Sequence, residues 1–195
     1  MLPEILKAFI TLFVIMDPFA SMPIFLSLTK GLPRKNVAEN ATNAITVASI
    51  LLFIFLFFGI SILSFFGINM NSFVIAGGII LLLIGVQYVL GINFKKDVED
   101  YDVASVPIGT PLITGPGVIT ITILLVSQYG YMVTMIAAIA SLLLTWMFLF
   151  FSSKLYKFIG EHWAKVMSRI MGLLLAAIAI EFIKKGVVGI INGGI

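Results

Sequence analysis

The stretch Asp17-Pro18-Phe19-Ala20-Ser21-Met22-Pro23 decides how this chain folds, because it interrupts an apolar run that otherwise reads as one helix. The run before it, Ile5 to Met16, is 12 residues long. At about 1.5 Å per residue it reaches about 18 Å, which sets Asp17 and Pro18 near the middle of a hydrocarbon core about 30 Å thick. Pro18 and Pro23 each lack an N–H and each clash with the preceding turn. The residues before them, Asp17 and Met22, are pushed towards extended backbone. A proline directly after an aspartate cap is also a favourable helix start. The pattern therefore predicts a helix that stops near Met16 and restarts at Asp17 or Ser21.

The composition makes a membrane the setting for this break. Of the 195 residues, 61% are hydrophobic and only 11% charged, with a mean hydropathy of +1.17. An ordinary domain is about 45–50% apolar and about 25% charged. A soluble fold of this size has too much surface to hide such a chain. The numbers exclude an ordinary soluble domain, a disordered chain and a nucleic-acid binder. They leave an all-α polytopic membrane protein. There are no cysteines, which removes disulfides and thiolate chemistry. The N-terminus lacks the basic start of a signal peptide and a clear cleavage site, so the first apolar run reads as a span.

Six spans are expected, at roughly 4–29, 44–66, 72–92, 107–127, 131–152 and 166–187, with loops at 30–43, 93–106 and 153–165. The loops after helices 1, 3 and 5 hold nine basic residues: Lys30, Arg34, Lys35, Lys95, Lys96, Lys154, Lys157, Lys165 and Arg169. The opposite side holds three: Lys7, Lys184 and Lys185. Basic residues collect on the cytoplasmic side. Both termini are therefore expected outside, and the three charged loops inside. Tyr129, Tyr131, Tyr156 and Trp163 fit an interfacial aromatic belt.

The break occurs twice. A shift of 93 residues lays Asp17-Pro18-Phe19-Ala20-Ser21-Met22-Pro23 on Thr110-Pro111-Leu112-Ile113-Thr114-Gly115-Pro116. Each copy has a capping residue, a proline, a hydroxyl three residues on and a second proline. A shift of 94 lays Gly78 on Gly172, Gly85 on Ala179 and Gln87 on Glu181. The chain thus reads as two three-helix repeats, 1–92 and 107–195, joined by a cytoplasmic loop at 93–106 in a single transmembrane domain. Three helices per repeat make the second copy enter the membrane inverted, a 3+3 arrangement typical of secondary transporters with a midplane site. Helices 1 and 4 are the broken ones.

Backbone groups freed by such breaks must be buried in protein or face a watery cavity. A restarted helix offers N–H groups and positive dipole to an anion. The ended half-helix offers carbonyls to an ammonium group or a cation. The candidate substrate-binding set is Asp17, Pro18, Ala20, Ser21 and Pro23 at the first break, and Thr110, Thr114, Gly115 and Gly117 at the second, with Asn43 added. Two proline kinks without any ligand are the alternative. An ionised aspartate at the bilayer centre costs about 2.5–3.5 kcal/mol on insertion scales, so Asp17 should face the bundle interior. It fits coupling to H⁺ or Na⁺, contact with a substrate amine, or a structural cap. Asn40, Asn43, Thr46 and Ser49 recur at helical spacing and fit either a polar pathway or interhelical hydrogen bonds. Glu181 before Lys184 and Lys185 fits an interfacial ion pair. The glycines and alanines of helices 3 and 6 fit close packing. An enzyme is not expected. His162, the only histidine, lies in a charged loop, Asp17 has no second deep aspartate, and neither a phosphate loop nor a metal-ligand cluster is present. No cofactor is expected beyond a transported H⁺ or Na⁺.

At these two motifs the chain resembles the MarC family of integral membrane proteins, which includes SnatA-type neutral amino acid transporters. The resemblance rests on Asp17-Pro18 leading to Pro23-Ile24-Phe25, and on Pro111-Leu112 followed by Gly115-Pro116-Gly117. Length, span number and motif order agree along the whole chain. Family members often carry Gly-Asn where this chain has Ala20-Ser21. The resemblance implies transport of small neutral amino acids of the glycine and alanine class across the plasma membrane. The residues alone lead to a transporter with a midplane site for a small anionic or zwitterionic solute. An uncoupled channel or exporter, or a membrane scaffold, are the other classes that fit.

Overall fold

A computed structural model describes residues 1–29, 31–91 and 113–193. Lys30, the joining loop at 93–106 with Lys95 and Lys96, and Thr110 and Pro111 lie outside the described residues. The rest is helical: α1 (Leu2–Met16), α2 (Pro18–Leu28), α3 (Arg34–Phe65), α4 (Met70–Leu90), α5 (Pro116–Phe150) and α6 (Ser152–Gly193). Among the described residues there is no strand. Five segments are long and apolar enough to cross a membrane: Leu2–Leu26, Lys35–Phe65, Met70–Leu90, Pro116–Phe150 and Lys165–Gly193.

The first span breaks at Asp17, as the Asp-Pro pair predicts. The helices themselves run further than the apolar runs. α3 starts at Arg34, ten residues before the expected span, and α6 starts at Ser152, the last residue of an expected span, and runs through the loop expected at 153–165. Hydropathy marks where lipid begins, whereas helix formation depends on backbone hydrogen bonding, and polar residues such as Lys35 and Glu39 continue the helix into the interface. Within α6 the bend comes at Gly160, whose φ of 78° is a left-handed value that suits glycine.

A straight 35-residue helix would be about 52 Å long, well beyond the hydrocarbon core. α5 instead folds back at Gly130, whose φ of 80° and ψ of 171° no helix contains. The contacts along α3 give the direction of each arm. Thr114 bonds the Ala48 carbonyl, and Ile123 meets Gly59, so the first arm runs with α3. The Tyr131 ring stacks on Phe57, and Trp146 reaches Thr42, so the second arm runs against it. The boundary expected between spans 4 and 5 thus falls at this glycine.

The broken elements occupy the middle of the bundle. Half of the most apolar stretch of the first span is buried (50%), and 44% of that in α5, against 22% in α3 and in α6. α1 lies along the second arm of α5. The Ser141 hydroxyl donates to the Phe9 carbonyl (3.2 Å), and Phe13 and Phe19 both meet Phe148 edge-on. The start of α1, the turn at Gly67, Gly130 and the end of α6 therefore share one end of the bundle. Lys7, Lys184 and Lys185 lie there, with Lys184 paired to Glu181 at 3.0 Å, as the helical spacing predicts. Arg34, Lys35, Lys154, Lys157, Lys165 and Arg169 belong to the other end.

α4 and α6 pack antiparallel through small residues, as expected of Gly78, Gly85, Gly172 and Ala179. A Cβ built on Gly78 would stand 2.9 Å from the Ala179 carbonyl oxygen, and one on Gly85 would stand 2.8 Å from that of Gly172. The backbones touch directly, and only glycine permits it. Gly77, by contrast, faces Thr120 of α5. Substituting Gly85 or Gly172 with leucine forces the helices apart and is expected to cost about 1–3 kcal/mol. Thermal unfolding in detergent measures this, with Gly193→Ala, where a Cβ meets open space, leaving the midpoint unchanged.

Candidate functional site

Asp17 ends one helix and begins the next. Its φ of 36° and ψ of 73° are left-handed, and it is the only non-glycine with positive φ among the described residues. The extended backbone expected before Pro18 is therefore not what forms. The left-handed conformation lets the Asp17 N–H donate to the Phe13 carbonyl (3.2 Å), closing α1, while the Asp17 carbonyl accepts the Ser21 N–H (3.1 Å), opening α2. Aspartate tolerates this region because its side chain bonds locally. Here Oδ1 accepts the Ala20 N–H at 3.2 Å, an N-cap, and the Phe19 amide also faces the carboxyl. One residue thus answers loose backbone groups on both sides of the break.

Asp17 is fully buried (0% exposed), and its second oxygen, Oδ2, has no hydrogen-bond partner. Pro18, Ala20 and Ser21 are buried around it. Pro23 is half-buried inside α2, which runs through it without a second restart, so Met22 is helical rather than extended. Membrane helices accept an internal proline where neighbouring groups answer the freed carbonyl.

The second break supplies Thr114, Gly115 and Gly117. α5 begins at Pro116, with Gly115 as a cap that offers no side-chain hydrogen bond. Thr114 is buried, and its hydroxyl donates to the Ala48 carbonyl (3.1 Å), which ties the break to α3. Gly117 is buried between Leu81 of α4 and Ile15 of α1: a Cβ there would stand 2.5 Å from Leu81 Cδ2 and 3.6 Å from Ile15 Cγ2. Ile15 is two residues before Asp17. The end of α1 and the start of α5 therefore meet, and the two breaks form one junction.

Asn43 is not part of it. Asn43 is exposed on α3, in a groove with Lys35, Glu39 and Thr42. Thr46 and Ser49 donate back to the carbonyls of Thr42 and Ile45 in their own helix, so neither makes the interhelical bond expected of that stripe. Trp146 of α5 donates to the Thr42 hydroxyl through Nε1.

Two groups at the junction escaped the sequence reading. Thr145, fully buried, reaches the sulfur of Met16 beside the break (3.8 Å). Its spacing from Thr134 and Ser141, seven and then four residues on, is the helical signal that could have found it. Tyr88 of α4 lies within electrostatic reach of Asp17 and carries no such signal.

A family model described as "MarC family integral membrane protein" matches residues 2–191. A UPF0056 membrane protein of Methanocaldococcus jannaschii is 34% identical over 194 residues, covering 93% of this chain and 95% of that one. The UPF0056 membrane protein YhcE of Escherichia coli is 36% identical over 206 residues, covering 98% and 95%. One from Archaeoglobus fulgidus is 35% identical over 191 residues, covering 92% and 90%. No solved structure matches the chain.

The two breaks make distinct stability predictions. Asp17→Ala loses both the cap and the tolerance of left-handed backbone, and should unfold about 1–3 kcal/mol more easily than Asp17→Asn, which keeps both. Thr114→Val should cost about 1 kcal/mol through the lost bond to Ala48. Melting curves of the purified variants decide each.

Proposed function

The chain belongs to the MarC family of integral membrane proteins, and on that premise we propose that it is a secondary transporter of small neutral amino acids. The observation that carries this reading is the buried junction of two helix breaks, with one carboxyl oxygen left without a partner. Broken helices that meet inside a bundle are where transporters bind small charged solutes. The substrate contacts in this reading come from Asp17, Ala20, Ser21, Thr114, Gly115 and Gly117, and Asp17 couples the movement to H⁺ or Na⁺.

Alternating access needs two halves that exchange roles. Counting each arm of α5 as one passage gives six spans and a 3+3 inverted repeat. The α4–α6 seam supports this. Under the shift of 94, Gly78 corresponds to Gly172, Gly85 to Ala179 and Val89 to Ile183. Gly78 meets Ala179 and Ile183, while Gly172 meets Gly85 and Val89. Each contact maps onto its counterpart, which is what a two-fold relation between halves requires. The charge distribution supports termini outside and the basic end in the cytoplasm, in the plasma membrane. This reading needs neither a cofactor nor a catalytic step.

A passive channel is the second reading, favoured if flux ignores ion gradients. Protein reconstituted in liposomes should accumulate labelled glycine or alanine when a proton or sodium gradient is imposed, and Asp17→Asn should abolish the accumulation. No uptake under any gradient overturns transport of these substrates. Uptake that is indifferent both to gradient and to Asp17→Asn makes the protein a channel.

A further inference from the structure

The two breaks are chemically unlike. At the first, the chain answers its own helix start: Asp17 Oδ1 caps the Ala20 amide. A second anion at that end of α2 would meet the Asp17 carboxylate. At the other break no side chain caps α5; Pro116 brings no N–H, and the Val118 and Ile119 amides donate to the Gly115 carbonyl, which leaves the Gly117 amide for a ligand. The Thr114 hydroxyl, one residue before the cap, is engaged with Ala48 of α3. The start of the first arm of α5, with its positive dipole end, therefore carries no acid of its own. Two residues past Ile15, which meets Gly117, stands the fully buried Asp17, whose Oδ2 lacks a donor. A buried acceptor without a donor is costly, and an ammonium group is the donor that also matches its charge.

We propose that the junction takes a zwitterion in one orientation, its ammonium group on Asp17 Oδ2 and its carboxylate at the start of α5 by Gly115 and Gly117. This rests on the transport reading above and adds to it which break holds which pole. It makes the molecule's two poles unequal in value. An amine without a carboxylate keeps its contact with Asp17. A carboxylate without an amine is repelled by that same residue. The side chains nearest Gly117, Leu81 and Ile15, are apolar.

The test is displacement of labelled alanine from the purified full-length protein by alanine, ethylamine and propionate. Wild type should be displaced by alanine best, by ethylamine weakly and by propionate least. Asp17→Asn keeps the cap but loses the negative charge. It should bind alanine about ten- to a hundredfold more weakly, the worth of a charge-assisted hydrogen bond, and propionate better than wild type does. The wild-type series needs no variant to fold. Propionate competing as well as ethylamine in wild type overturns the orientation. So does alanine binding that Asp17→Asn leaves unchanged, and either result leaves transport intact. Wild type that binds no amino acid defeats the transport reading itself, and this proposal with it.

Discussion

A backbone inside a bilayer has no water to bond, so every N–H and C=O must find a partner within the protein. This constraint governs the whole arrangement. A chain that breaks a helix in mid-membrane has to surround the break with other helices. The first span and α5 are accordingly the most buried, and α3, α4 and α6 form the outer wall. Three of the buried hydroxyls serve the same end. Ser141 bonds a carbonyl of α1, Thr145 reaches Met16, and Thr114 bonds a carbonyl of α3. Two of them fasten the first span to α5, and the third fastens the second break to the unbroken α3. Asp17 does the rest by bonding on both sides of itself.

Much of this was legible in the sequence because proline acts locally. Pro18 removes a donor and creates a clash wherever it stands, so the break at Asp17 follows from the residues alone. The glycines of α4 and α6 were legible for a similar reason, since backbone contact leaves no alternative residue. Helix ends were less so. Arg34 to Asn43 is too polar to resemble a span, yet nothing in it opposes a helix. Asn43 illustrates a second limit. Its spacing from Asn40 and Thr46 fixes which helical face it shares, but the face turned inward depends on packing between helices. Met22 illustrates a third: local sterics before Pro23 favour extended backbone, and tertiary packing overrides them.

In the proposed 3+3 repeat the two copies of the break are unlike in sequence. Asp17 corresponds to Thr110, and Ser21 to Thr114. In that reading an acid at one copy and a neutral residue at the other make the pair of ends chemically asymmetric. The seam between α4 and α6 has gone the other way, keeping glycine or alanine at the matched positions. Where backbones touch, both copies answer to one steric demand. In the proposed transporter, the copies are free to differ where they would face a solute.

The unpartnered oxygen of Asp17 has one more consequence. A single buried acceptor serves one strong donor at a time. If a proton occupies it when the site is empty, an arriving ammonium group must displace that proton, and the two become mutually exclusive. Binding of each then weakens the other by the same factor. Such a carrier would trade a proton for an amino acid rather than carry both together, and the stoichiometry of exchange would be written in one carboxyl oxygen.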